Sequence, residues 1–163
     1  MALTLHFNFC NEVYKEITGK DPREENVLVC SLLIEDAKKQ ELDVNVTLAT
    51  AWEESRFTQQ FRPTKYDCMG PLQIKYKYWC PNKKGRISPI KDDGELHMCD
   101  PYHHGVRALK YYIDKFKPLE KALCYYNNST KCRKSNMSVY VKRVFEHKTK
   151  IDAVSNKKEY SNL

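Results

Sequence analysis

Apolar residues recur at helical spacing along most of the chain, and this feature constrains the fold more than any other. Residues three or four positions apart lie on one face of an α-helix, so a recurring apolar face predicts a helix that packs against a core. The spacing predicts five helices, over about residues 26–40, 45–57, 103–116, 119–126 and 138–151.

The connections between these helices contain residues that interrupt regular structure. Pro63, Gly70 and Pro71 predict that residues 58–71 form an irregular segment or a short β-turn element. Further proline and glycine residues make 80–101 the least regular stretch of the sequence. We therefore expect a mainly α fold (α+β) with a small irregular or β element after the second predicted helix.

The length of the chain sets the number of domains. A chain of 163 residues can build one domain with its own core and is too short for two. We expect a single domain over residues 1–163, with its motif-bearing core over about 26–151. The polar sequence from about residue 155 predicts a frayed tail.

The net charge of +7 favours anionic partners, such as nucleic acid, acidic membranes or a polyanionic cell wall. A solvated basic surface with no dedicated partner explains the charge equally well. The sequence has no zinc-finger spacing and no recognised nucleic-acid motif, so we expect no nucleic-acid partner. No apolar run approaches the roughly 20 residues that span a bilayer, so we expect no stable membrane insertion. The first residues lack a basic segment followed by a long apolar stretch, so we expect no signal peptide.

The chain contains seven cysteines, and an odd number leaves at least one unpaired in a monomer. Without a signal peptide we expect reduced thiols. Cys30 lies in an apolar run and is expected to be a buried small hydrophobic residue. Two pairs could form disulfides in an oxidising medium: Cys80 with Cys99, and Cys124 with Cys132.

Two adjacent acids, Glu53 and Glu54, end the second predicted helix. Neighbouring positions on a helix point about 100° apart, so one carboxyl can be solvated while the other faces the apolar surface near Trp52 and Phe57. Desolvation raises the pKa of such a carboxyl, as a general acid near neutral pH requires. On composition alone, a solvated acidic face is the commoner explanation of two adjacent acids.

Five short motifs follow one another between about residues 30 and 150. They are Glu54-Ser55-x-Phe57 after an apolar helix, Met69-Gly-Pro-Leu-Gln-Ile74, Asp100-Pro…Gly105-x-x-x-Leu109, Tyr125-Tyr126-Asn127 and Tyr140-Val-x-x-Val144. Each motif is weak alone. Together and in this order they resemble the catalytic domain of the soluble lytic transglycosylases, which is lysozyme-like.

The resemblance implies an enzyme that cleaves the β-1,4 bond between N-acetylmuramic acid and N-acetylglucosamine in peptidoglycan. Glu54, and not Glu53, would protonate the glycosidic oxygen. Its carboxylate would then take the proton of the muramic 6-hydroxyl, which closes a 1,6-anhydro ring without water. The resemblance requires no second catalytic carboxylate, no metal and no other cofactor.

The resemblance also implies a set of substrate-binding residues. Gln73 would hydrogen-bond the sugar, Tyr126 would orient the substrate or Glu54, and Gly70 would let the backbone approach the sugar. The set is completed by Ser55, which we expect mainly to support the helix end, and by Asn127.

The sequence departs from the family pattern at several positions. Leu72 stands where the family has Met, a change that conserves volume. Tyr125 replaces the family's Ala, and Asn136 occupies a position where some members carry a second Glu. Residues 76–100 are unlike the family, and we expect them to form a loop that borders the substrate groove.

Three alternatives remain open. A hydrolase on the same fold, similar to goose-type lysozymes, would need a base to direct water, and Asp67 is the best candidate. A catalytically inactive wall-binding protein would keep the fold alone. A zinc- or nucleic-acid-binding module would draw on soft ligands: Cys80, His97, Cys99, His103 and His104.

The expected place of action is the bacterial cell wall, in the periplasm. The basic charge, the compact single domain and the missing signal peptide favour a bacteriophage enzyme delivered by a holin or as a virion component. A bacterial enzyme with a removed leader is the alternative. We expect a monomer whose partners are the glycan strands of peptidoglycan.

Overall fold

The computed structural model describes residues 2–61, 64–80, 99–128, 132 and 138–160. Over these residues the chain is mainly helical. The helices are α1 (Ala2–Thr18), α2 (Glu24–Lys39), α3 (Val44–Ser55), α4 (Tyr76–Trp79), α5 (Pro101–Lys115), α6 (Leu119–Asn128), α7 (Val139–Ser155) and a final 3₁₀ turn (Lys158–Tyr160). Strands β1 (Cys68–Met69) and β2 (Ile74–Lys75) form a small antiparallel sheet, in which Cys68 pairs with Lys75 and Met69 with Ile74.

This architecture confirms the expected mainly α fold with a small β element after the helix that carries Glu54. Each of the five predicted helices is present, with ends displaced by at most four residues. Much of the stretch expected to be least regular, residues 81–98, lies outside the described residues.

Helix α3 is the central element of the core. Every residue from Val46 to Trp52 is buried, and the helix packs against α2 and α7, on which α1 also packs. A helix that is buried all round needs apolar or small side chains on all its faces. The hydroxyls of Thr47 and Thr50 fit there because each donates to a carbonyl of the preceding helical turn, at 2.8 Å. The burial ends at the C-terminal end of α3, where Glu53 and Glu54 lie.

Local hydrogen bonds fix where the helices begin. Asp43 accepts a bond from the backbone N–H of Val46 at 2.9 Å and starts α3. Asp100 accepts from the first free N–H groups of α5, and Pro101 follows it in the first turn, where a missing N–H costs nothing. Ser138 caps α7 in the same way, through the N–H of Val141.

Helix α1 was not predicted from the sequence. Its residues Phe9, Cys10 and Val13 are almost fully buried, and α1 packs against α2 and α7. The packed core therefore includes residues that precede the motif-bearing region of about 26–151. Like the other described helices, α1 is not long and apolar enough to cross a membrane.

The expectation of a frayed tail from residue 155 is wrong as far as residue 160. Tyr160 is buried, its hydroxyl donates to Glu12 Oε1 at 2.8 Å, and its ring meets Phe9 edge-on at 5.2 Å. A single aromatic side chain thus ties an otherwise polar segment to α1.

The expectation of reduced thiols is also wrong. Three disulfides are present, Cys10–Cys30, Cys80–Cys99 and Cys124–Cys132, and Cys68 is a free cysteine. The paired Cα atoms lie 5.0 to 5.9 Å apart, which is the range a disulfide requires. Cys30 is buried as expected, but its partner lies on the unpredicted helix α1.

Candidate active site

The C-terminal end of α3 changes direction sharply directly after the two glutamates. Arg56 and Phe57 both have left-handed backbone conformations, with φ of 59° and 57°. The hydroxyl of Ser55 donates to the carbonyl of Ala51 at 3.1 Å, and the Ser55 carbonyl accepts from the Thr58 hydroxyl at 2.9 Å. Ser55 therefore bonds the backbone of its own helix and supports the helix end.

Glu54 is half-buried and makes one specific contact with α7. The hydroxyl of Tyr140 donates to Glu54 Oε1 at 2.7 Å. Burial, partly opposed by this hydrogen bond and reinforced by the neighbouring Glu53 charge, raises the pKa of Glu54 to about 7. A carboxyl with that pKa is protonated in a large share of molecules at neutral pH and ionises readily, so it can both give and take a proton.

Two tyrosines lie beside this carboxyl and differ in what they bond. Burial and the nearby Glu54 charge raise the pKa of both Tyr126 and Tyr140, so both phenols keep their protons and act as donors. Tyr140 donates to Glu54, whereas Tyr126 donates to the carbonyl of Leu72. Tyr126 is thus close to Glu54, but its hydroxyl holds the turn that follows β1.

That turn is built around Gly70. Gly70 has φ of +74°, and a Cβ there would lie 2.5 Å from the Cβ of Pro101, so no larger residue fits without a backbone shift. The N–H of Gly70 donates to the carbonyl of Gln60 at 2.8 Å, and the N–H of Gln73 returns to the Gly70 carbonyl at 3.0 Å. The turn is therefore clamped between α5 and the segment that follows α3.

Gln73 lies on this turn. Its backbone is in the strained left-handed region, and its side-chain amide is already hydrogen-bonded. Its φ is 48°, and its side-chain N–H₂ donates to the Gly70 carbonyl at 2.8 Å and to the side-chain oxygen of Gln60. To bind a sugar through this amide, Gln73 would have to exchange one of these partners.

The remaining predicted residues lie further out. Asn127 is exposed near the end of α6. Asp67, with φ of 60°, is paired with Lys77 at 2.8 Å, and both side chains are about half exposed. The negative charge of Asp67 is therefore balanced by a lysine, and its carboxyl faces water.

Three residues of this region were missed as functional candidates, although one of them belongs to a recognised motif. Tyr140 was identified within the Tyr-Val motif but given no role. Arg143 and His147 follow it on α7 and bond Glu53, with atoms 3.4 Å and 3.2 Å apart. Their spacing, three and then four residues, places all three on one face of a helix, which was the available signal.

The side chain of Glu53 is only 8% exposed, so the expectation that one of the two acids is solvated is wrong. The Trp52 ring meets Phe57 at 5.2 Å and also meets His147, the residue that bonds Glu53, at 6.2 Å. Both acids are shielded because α7 covers the end of α3.

The proposed soft-metal ligands do not form a site in the structure. Cys80 and Cys99 are bonded to each other, so neither offers a thiolate. His103 contacts Gln40 and Asp36, and His97 lies outside the described residues. No cluster of three or more metal-ligating side chains occurs among residues 2–61, 64–80, 99–128, 132 and 138–160.

A cavity of about 440 Å³ lies at the opposite, N-terminal end of α3, lined by residues that include Asp43, Asn45 and Tyr160. Within it, Asn45 donates to Asp152 at 2.8 Å and accepts from Ser155 at 3.0 Å, and Tyr160 donates to Glu12. We place the candidate site at Glu54 instead, because that is where a carboxyl of perturbed pKa meets a proton donor.

Comparison with known proteins finds no matching family model, no similar curated protein and no similar solved structure. The case for a function therefore depends on the residues of this chain and on their geometry.

Proposed function

We propose that this protein is a lytic transglycosylase that cleaves the bond between N-acetylmuramic acid and N-acetylglucosamine in peptidoglycan. The observation that carries the proposal is the half-buried carboxyl of Glu54, with a pKa of about 7 and a hydrogen bond from Tyr140. The order of the motifs around it, which resembles the transglycosylase family, supplies the substrate class.

In this reaction one carboxyl has two tasks in turn. Protonated Glu54 gives its proton to the glycosidic oxygen, and the C1–O bond of the muramic residue breaks. The Glu54 carboxylate then takes the proton of the muramic 6-hydroxyl, whose oxygen bonds C1 and closes the 1,6-anhydro ring. A pKa near the working pH serves both steps, because the carboxyl then releases a proton about as readily as the carboxylate accepts one.

The contact with Tyr140 suits these two tasks. It holds Oε1 through a hydrogen bond, and among the described residues Oε2 has no hydrogen-bond partner. Oε2 is then the oxygen that would carry the proton to the substrate. The bond to Tyr140 also steadies the carboxylate after the first proton transfer, since a phenol O–H bonds an anion more strongly than a neutral acid.

The remaining predicted residues take supporting roles in this proposal. The turn from Gly70 to Gln73, bonded by Tyr126, would form one wall of the sugar site within a lysozyme-like fold. Three disulfides are typical of proteins that work in oxidising compartments, and the periplasm and the cell surface are such places. The net charge of +7 favours an anionic wall polymer.

The proposal is tested by digesting purified sacculi with the wild-type protein, Glu54→Gln and a matched control, Glu146→Gln. Glu146 is an exposed residue of α7, so its change removes the same charge away from the site. We expect Glu54→Gln to lower the rate by about 10²- to 10⁴-fold with its circular dichroism unchanged, and the control to match the wild type.

Mass spectrometry of the digest decides the fate of the bond. The proposal predicts 1,6-anhydro ends. Reducing ends would contradict it and would indicate the hydrolytic alternative, in which Asp67 directs water and Asp67→Asn abolishes activity. Normal activity of Glu54→Gln would contradict both.

A further inference from the structure

Glu53 has a set of contacts that the proposed reaction does not use. Its Oε1 lies 3.4 Å from Arg143, and its Oε2 lies 3.4 Å from Arg56 and 3.2 Å from His147 Nε2. Two guanidinium groups and one imidazole thus bond a carboxylate whose side chain is only 8% exposed. Charged groups shielded to this extent interact more strongly than surface pairs do.

His147 donates to Glu53 as a neutral imidazole. Burial lowers the pKa of His147, although its bond to Glu53 acts in the opposite direction. Its Nδ1 is buried and has no hydrogen-bond partner. An unpaired lone pair there costs less than an unpaired N–H, so the ring proton belongs on Nε2, facing the Glu53 carboxylate.

Helix α7 connects this cluster to the proposed acid. Tyr140, Arg143 and His147 lie on one face of α7, at successive turns. Arg143 and His147 bond Glu53, and Tyr140 bonds Glu54, the next residue of α3. The clamp on Glu53 therefore fixes the part of α7 that holds Tyr140 against Glu54.

From this arrangement, and given the proposed role of Glu54, we infer that Glu53 is a positioning residue for the catalytic acid. Its bonds to Arg143 and His147 hold Tyr140 on Glu54, and its negative charge, one residue away, favours the protonated form of Glu54. Glu53 itself transfers no proton.

The charged and titratable groups around the two carboxyls come from four elements. They are Glu53 and Glu54 on α3 with Arg56 directly after it, Tyr140, Arg143 and His147 on α7, Tyr126 on α6 and Cys68 on β1. Burial raises the pKa values of Cys68, Tyr126 and Tyr140, so these groups are neutral when Glu54 titrates. The balance between Glu53 and its cationic partners is then what the substitutions below change.

The electrostatic part of the inference predicts opposite shifts for two substitutions. Glu53→Gln removes an anion but keeps an amide oxygen that can still accept a bond from α7, so Tyr140 stays on Glu54 and the pKa of Glu54 falls. Arg143→Gln removes a cation and leaves Glu53 less balanced, so the pKa of Glu54 rises. The second effect is the smaller, because the Arg143 side chain is 57% exposed and water screens its charge.

The first readout is the pH dependence of peptidoglycan cleavage. A general acid is active below its pKa, so the alkaline limb follows Glu54. We expect it to move to lower pH by about half a unit or more in Glu53→Gln, which lowers the rate above pH 7.5 about threefold or more. Arg143→Gln should move it to higher pH.

The second readout is the titration of the Glu54 carboxyl carbon by NMR, with Glu54→Gln identifying the signal. Lys142→Gln and Glu146→Gln, exposed neighbours on α7, are the charge-matched controls and should leave the midpoint unchanged. Because this readout needs no activity, it tests the coupling even if the protein does not cleave peptidoglycan. Inactivity of the wild type would then contradict only the proposed function.

Opposite shifts in the two variants support the inference. Equal midpoints, or shifts of the same sign, overturn it. If Glu53→Gln fails to fold, Arg143→Gln decides alone, because it keeps the Glu53 carboxylate with Arg56 and His147. In that case an unchanged or lowered midpoint overturns the inference.

Discussion

The two glutamates near the end of α3 are adjacent in sequence and contact the same helix, α7, yet different kinds of group bond their carboxyls. Glu53 bonds two arginines and a histidine. Glu54 bonds one phenol, and burial raises its pKa to about 7. The difference arises because one residue along a helix turns the side chain by about 100°, which moves it from one turn of α7 to another.

The comparison shows that the groups that bond each glutamate, and not the sequence around it, decide what that glutamate can do. Two arginines and a histidine bond Glu53, so in our inference it is a structural anchor for α7. A single neutral donor in a desolvated position leaves Glu54 close to the balance between its two forms, which is where proton transfer is easiest.

The largest expected effect is on stability, where the two sites should respond in opposite directions. Glu53→Gln leaves Arg56 and Arg143 without their anion. Because water screens these half-exposed arginines, the change should destabilise the fold by only about 1 kcal/mol. Glu54→Gln should stabilise it by about 2–3 kcal/mol at pH 8, because it removes the cost of ionising a carboxyl whose folded pKa is raised. Urea unfolding at pH 4 and pH 8 measures both.

The sign of the Glu54 effect follows from its raised pKa. A folded pKa above the unfolded value means that the folded state binds the extra proton between about pH 4.5 and pH 7. This contribution to stability is therefore complete below pH 4.5 and is lost as the pH rises to 7 and above. Glu54→Gln should show its advantage at pH 8 and little at pH 4. If Glu54→Gln changed the free energy of unfolding by the same amount at both pH values, the raised pKa of Glu54 would be contradicted.

A smaller effect is expected from removing the phenol bond. Tyr140→Phe should lower the cleavage rate about tenfold, because the acid loses the group that orients it. It should also move the alkaline limb of the pH profile upward, since the hydrogen bond favours the ionised form of Glu54. This shift is opposite to the one expected for Glu53→Gln.

Tyr126→Phe is the matched control for this prediction. Its hydroxyl bonds the Leu72 carbonyl and not Glu54, so the change should loosen the Gly70 turn without an upward shift of the limb. If Tyr126→Phe moves the limb upward as far as Tyr140→Phe does, the specific role of the Tyr140 bond is refuted.

The sequence predicted the helices of the core because their apolar spacing is a local property. The five predicted helices and the small β element between α3 and α5 are present. Helix α1 was not predicted, although its buried residues Phe9, Cys10 and Val13 have helical spacing. The tail was misjudged because one residue, Tyr160, is enough to hold it.

The site was predicted in part for the same reason. Glu54 and the Gly70 turn lie in short motifs that the sequence displays directly. The bond from Tyr140 joins residues 86 positions apart, and those from Arg143 and His147 to Glu53 span 90 and 94. The spacing of residues within one helix does not predict which turn of α7 contacts which glutamate. Two of the three disulfides, Cys80–Cys99 and Cys124–Cys132, join the pairs that the sequence analysis named for an oxidising medium. Cys10–Cys30 depended on how α1 packs on α2, which cysteine spacing does not determine.

The central claim is that Glu54 is an acid whose pKa lies near neutral pH, while two arginines bond its neighbour Glu53. The most direct measurement is the NMR titration of the Glu54 carboxyl carbon in the wild-type protein, with its signal assigned from Glu54→Gln. The structure predicts a midpoint of about 7. A midpoint close to the ordinary value of 4.5 would contradict the claim, because a carboxyl ionised throughout the neutral range cannot deliver the first proton.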